Sequence, residues 1–123
     1  MKCLRISADE TGASQFDEVE ISLREMNFLP PAAPLLVSEP IVSERMLFAT
    51  LPVGWDGSWH PAPARTYFFM LSGQMEVEVP GGERRRIKPG DAVLLEDTSG
   101  TGHLTRVIGD SPVDGAYVQL PAR

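Results

Sequence analysis

The chain of 123 residues contains one cysteine and two histidines, few basic side chains and no long apolar run. With Cys3 alone, no internal disulfide forms and thiolate metal clusters are excluded, so Cys3 reads as a strand residue rather than a reactive thiol. No stretch approaches the ~20 apolar residues of a transmembrane helix. The opening MKCLRISADE turns polar too early for the apolar part of a signal peptide, and a cytoplasmic location is the expectation. Lysine and arginine total 11 against 17 acidic residues, a net charge of −6. A polyanion is repelled by nucleic acid and by anionic lipid, so neither is an expected partner. The one basic run, Arg84 to Arg86, follows a hairpin turn and reads as charge pairing with Glu76 and Glu78. Helical patterning is scarce too. Only Ile21 to Phe28, closed by Pro30-Pro31, has room for a turn or two.

What is present is a series of short alternating runs cut by turns. Glycine and proline stand at 11 each and are spread along the chain, which favours an all-β fold. Strands are expected at Lys2 to Ser7, Phe16 to Ile21, Met46 to Leu51, Arg65 to Leu71, Gln74 to Val79, Arg84 to Ile87, Ala92 to Leu95, His103 to Ile108 and Ala116 to Leu120. In Gln74 to Val79, Met75, Val77 and Val79 share one face and Gln74, Glu76 and Glu78 the other. Pro80-Gly81-Gly82 and Pro89-Gly90-Asp91 are tight turns. The length fits one domain over residues 1–123: an N-terminal part, 1–44, with a Pro-rich extended stretch, and a strand-rich core, 45–120.

Within that core the chain resembles the cupin superfamily. Gly54, His60, Ala62, Thr66 and Gly73 fall on the spacing of its first motif, with Ala62 in place of a second histidine and Thr66 in place of a glutamate. Pro89-Gly90-Asp91 opens the second motif and His103 closes it, after a loop (Glu96 to Gly102) in which the usual Pro-x-Gly is missing. The resemblance implies a single-domain antiparallel β-barrel, or jelly roll, of the cupin type. It also implies a homodimer paired through the N-terminal third. It does not select an activity, because one fold hosts many chemistries.

Alternation in a barrel strand puts positions 60, 62, 64, 66, 68 and 70 on one face, and 103, 105 and 107 on another. If both faces point inward, His60 and His103 converge in a pocket lined by Thr66, Phe68 and Thr105. Trp55 and Trp59, beside the Asp56-Gly57-Ser58 loop, either stack on a ligand or cap the open end of the barrel. Two imidazoles alone hold a divalent ion weakly. Glu96 or Asp97 would have to complete a set for Fe, Mn, Ni or Zn; otherwise the histidines act as metal-free acid or base, since imidazole titrates near neutrality. The expected function is metal-assisted or histidine-dependent chemistry on a small polar metabolite. The alternative is a binding or sensory module that has lost the full metal site.

Overall fold

A computed structural model describes residues 1–123. It contains eleven strands and no helix: β1 (Lys2–Ala8), β2 (Ser14–Glu20), β3 (Arg24–Met26), β4 (Leu35–Val37), β5 (Arg45–Leu51), β6 (Thr66–Ser72), β7 (Met75–Glu78), β8 (Arg84–Ile87), β9 (Ala92–Leu95), β10 (Leu104–Val107) and β11 (Val113–Gln119). A six-stranded sheet runs β2-β1-β9-β6-β11-β5 and a three-stranded sheet runs β10-β7-β8. Both feed one core: Ile6, Phe68, Val93 and Val113 from the larger sheet meet Met75, Val77, Ile87 and Val107 from the smaller. Burying such side chains contributes ~1.5–3 kcal/mol each and holds the sheets face to face.

The expected all-β architecture is therefore present, as two facing sheets rather than a closed barrel, and pairing is antiparallel except between β1 and β9. Ile21 to Phe28 holds no helical turn. Arg24–Met26 instead pairs with Leu35–Val37 in a two-stranded ribbon. A stretch that short gives too few intrahelical bonds to offset nucleation. No helix is long and apolar enough to cross a membrane.

Alternation is regular where proline is absent. Met75, Val77 and Val79 are buried, while Glu76 and Glu78 lie opposite Arg86 and Arg84 and form ion pairs with Arg84 and Arg86 at 3.4–3.8 Å. It fails between His60 and Arg65, where Pro61 and Pro63 cannot donate to a ladder. β6 starts only at Thr66, and Ala64 faces an outer cleft with Arg65 and Glu96 instead of the interior.

Both tyrosines are held protonated past their ordinary value near 10, Tyr117 by burial and Tyr67 by burial followed by the charges of Cys3 and Glu96. A folded value above the unfolded one stabilises the fold fully below pH ~10; that stability is lost as pH rises through the folded value. Phenolate absorbance at pH 10 is thus expected to be below half-maximal in native protein and near half-maximal in guanidinium. Equal ionisation in the two states contradicts the burial.

Candidate functional site

His60 is placed by backbone pairing. The segment before it runs beside β10 as an irregular extra strand: Val107 N–H donates to Trp55 O, Gly57 N–H to Thr105 O, and His60 and His103 exchange both main-chain bonds at 3.1 and 3.0 Å. This antiparallel bridge brings the two imidazoles together, with ring centroids 5.0 Å apart and planes tilted by 55°. Both rings border one interior cavity of about 440 Å³, within the ~300–1,000 Å³ range of small-molecule sites.

Hydrogen bonds fix the ring tautomers. His60 Nδ1 lies 3.1 Å from Gly57 O and 2.9 Å from Ser58 O. Carbonyl oxygens only accept, so this nitrogen carries the proton. His103 Nδ1 donates to Asp97 Oδ2 at 2.7 Å, and the Ser14 hydroxyl donates to the same oxygen at 2.6 Å. Asp97 is fully buried, and its Oδ1 is the one sealed side-chain polar atom without a partner. In its neutral form each ring then leaves Nε2 as an acceptor with no hydrogen bond to protein. A buried carboxylate behind a histidine both orients the ring and stabilises the imidazolium formed when Nε2 takes a proton.

The rest of the lining is mainly apolar. Trp55, Phe68, Met75, Val77, Val93, Leu95 and Tyr117 surround the space, and Phe68 packs on Tyr117 at 4.6 Å between centroids. Thr66, Thr105 and Gln119 add uncharged polar groups. The Thr66 hydroxyl is spent on Ala64 O at 2.7 Å, and the Gln119 carbonyl accepts from Arg45 Nε. No lysine, arginine, aspartate or glutamate lines the cavity.

Of the residues expected at a site, His60, His103, Thr66, Phe68, Thr105 and Trp55 border this cavity; Trp59 and Glu96 do not. Trp59 is 41% exposed. Glu96 points outward into a cluster of guanidinium groups: Arg65 Nε at 2.9 Å, Arg123 at 2.7 Å and Arg5 at 3.6 Å. With Glu96 held there and Asp97 behind His103 rather than beside it, the carboxylate needed for a metal set is missing. Nowhere do three or more His, Cys, Asp or Glu side chains come together to hold an ion. Two imidazoles do not fit a resident metal centre, which needs three protein donors.

A β-sandwich enclosing a histidine-bearing cavity between its sheets is the kind of protein these features define. The chain belongs to the Cupin domain family, whose pattern matches residues 47–116. Among solved structures, the cupin domain of Schizosaccharomyces pombe Cnp3 is 17% identical with a TM-score of 0.53, over 99% of this chain and 83% of that one. Protein NMB1881 of Neisseria meningitidis is 18% identical with a TM-score of 0.47, over 68% of this chain and 84% of that one. At 17% identity the likeness to the Cnp3 domain is one of fold. No curated protein matches the chain.

Proposed function

We propose that the cavity binds a small, largely apolar molecule and that His103 acts on it as a general base. The observation that carries this reading is the Asp97–His103 pair, buried together behind an Nε2 that no protein group occupies. In the reaction, Nε2 accepts a proton from an acidic O–H or C–H of the substrate. The bonding electron pair stays on the substrate, and Asp97 balances the imidazolium. His60, fixed by two carbonyls, offers a second acceptor that orients the molecule.

The test follows deuterium incorporation at carbon by NMR in a panel of small enolisable carbonyl compounds, with binding read from Trp55 fluorescence in a Trp59→Phe background. His103→Ala is expected to slow exchange at least ~100-fold, the usual weight of a general base, while a bound ligand still perturbs Trp55. Saturable binding with no exchange in the whole panel supports the rival reading, a binding or sensory domain. The presence of Ala62 and Thr66 where the family motif has metal ligands favours that rival.

We further propose that two copies pair through β5. This strand forms one edge of the large sheet, and of its residues RMLFATL only Arg45 is charged. Met46 and Phe48 are 54% and 75% exposed, and Phe69 and Leu71 continue the apolar surface on β6. An apolar edge without lysine or proline is self-complementary to a second, antiparallel copy. Leu47, on the same edge, borders the cavity, so a partner would also cover its open side. Sedimentation is expected to give a dimer that Phe48→Glu converts to monomer; a wild-type monomer at micromolar concentration contradicts the pairing.

A further inference from the structure

We infer that the cavity selects uncharged aromatic hydroxyl compounds, phenols or stable enols, and rejects carboxylates and phosphates. This rests on the proposed pocket and names the chemistry it takes. Three observations lead to it. First, the carbonyls of Gly57 and Ser58 and the carboxylate of Asp97 hold the proton on Nδ1 in both rings. At the histidine end the groups facing the ligand are then acceptors, two bare Nε2 atoms and the Thr66 oxygen, whose hydrogen is donated to Ala64 O, while the donors of the lining, on Trp55, Thr105, Tyr117 and Gln119, belong to other residues of the wall. An acceptor-lined end of a cavity is satisfied only by a ligand that donates.

Second, no charged side chain lines the cavity. Against neutral imidazoles a carboxylate or phosphate would lose its hydration, meet lone pairs where it needs donors, and have to draw a proton onto Nε2 to gain a counter-charge. An ammonium group has the donors but faces the same desolvation, because the nearest carboxylate, Asp97, is committed behind His103. A neutral O–H supplies the donor without that cost. Third, the walls are aromatic and aliphatic, with Trp55, Phe68 and Tyr117 presenting ring faces and edges. Such walls suit a flat apolar body, and ring contacts contribute ~0.5–1.5 kcal/mol beyond area burial.

The experiment uses wild-type protein and three matched probes: a naphthol, its methyl ether and the corresponding naphthoate, titrated by calorimetry. In parallel, nitrogen NMR of histidine-labelled protein reports which ring nitrogen carries the proton. Both rings are expected to be protonated at Nδ1. The naphthol is expected to bind about tenfold more tightly than the ether, the worth of one well-made hydrogen bond to a buried acceptor, and to shift at least one Nε2 resonance. The naphthoate is expected to bind more weakly than either. Naphthoate binding as tightly as the naphthol, ether binding equal to it, or an Nε2–H tautomer in both rings overturns this inference and leaves the pocket reading standing. Failure of all three probes to bind, with Nδ1–H confirmed on both rings, overturns the pocket reading itself.

Discussion

Gly102→Ala is expected to destabilise the fold by about 4 kcal/mol or more, and to abolish ligand binding in whatever protein remains folded. Gly102 has φ +81°, and a Cβ built on it would lie 2.0 Å from His60 O, 2.1 Å from His60 C and 2.3 Å from Pro61 N. These are backbone atoms, so no rotamer change relieves the contact. The His60–Pro61 peptide has to move away from residue 102, which breaks the two main-chain bonds joining His60 to His103. Gly109 is the internal control. Its φ is +80°, yet nothing lies within 4 Å of its virtual Cβ. Gly109→Ala therefore carries only the left-handed backbone penalty of ~1–2 kcal/mol. The difference between the two variants in denaturant midpoint isolates the contact. Similar midpoints would mean that the histidine segment is free to give way, and the site would not be the rigid pair described above.

Much of this arrangement could be read from residue order. Pro80-Gly81-Gly82 and Pro89-Gly90-Asp91 announced turns that only certain residues make, and the alternation through Met75, Val77 and Val79 grouped three side chains that are buried together. His60 and His103 both border the cavity, although Ala64 breaks the alternation that linked His60 to β6. The structure differs where contacts distant in sequence decide. The loop Glu96 to Gly102 has the composition of a solvated turn, and that composition hides how its two carboxylates part company. Ser14, 83 positions away, and the Arg5–Arg65–Arg123 cluster determine that Asp97 is buried and Glu96 faces out. A local signal did exist: Val93 and Leu95 line the cavity, and continuing their alternation by one step reaches Asp97. Tyr117 and Gln119 likewise follow from the parity of β11 once its inward face is known. The parallel pairing of β1 with β9 had no comparable signal, because a chain does not advertise which strand its first segment will join.

Asp97→Asn provides the sharpest test, because it should change the chemistry of the pocket while largely preserving its shape. Asp97 Oδ2 accepts from both Ser14 Oγ and His103 Nδ1, and Oδ1 has no partner. An asparagine amide has two ways to fill this position. With its oxygen at the Oδ2 place, both existing bonds survive, but the NH2 group is sealed where no acceptor is available, at ~1–3 kcal/mol for each unmet donor. With its nitrogen there, the amide donates to Ser14 Oγ and to His103 Nδ1, and the oxygen inherits the already unpartnered place. The second arrangement leaves fewer donors stranded, so it should prevail. It requires Nδ1 of His103 to become an acceptor, which moves the ring proton to Nε2 and turns a base into a donor facing the cavity. Base-dependent exchange should fall at least ~100-fold, the preference for the naphthol should weaken, and naphthoate binding should strengthen. The stability loss should be about 1–2 kcal/mol, against about 3–5 kcal/mol for Asp97→Ala, which strands both the hydroxyl and the ring N–H. If nitrogen NMR finds His103 still protonated at Nδ1 in Asp97→Asn, then Asp97 does not govern the tautomer and the case for His103 as the base loses its support.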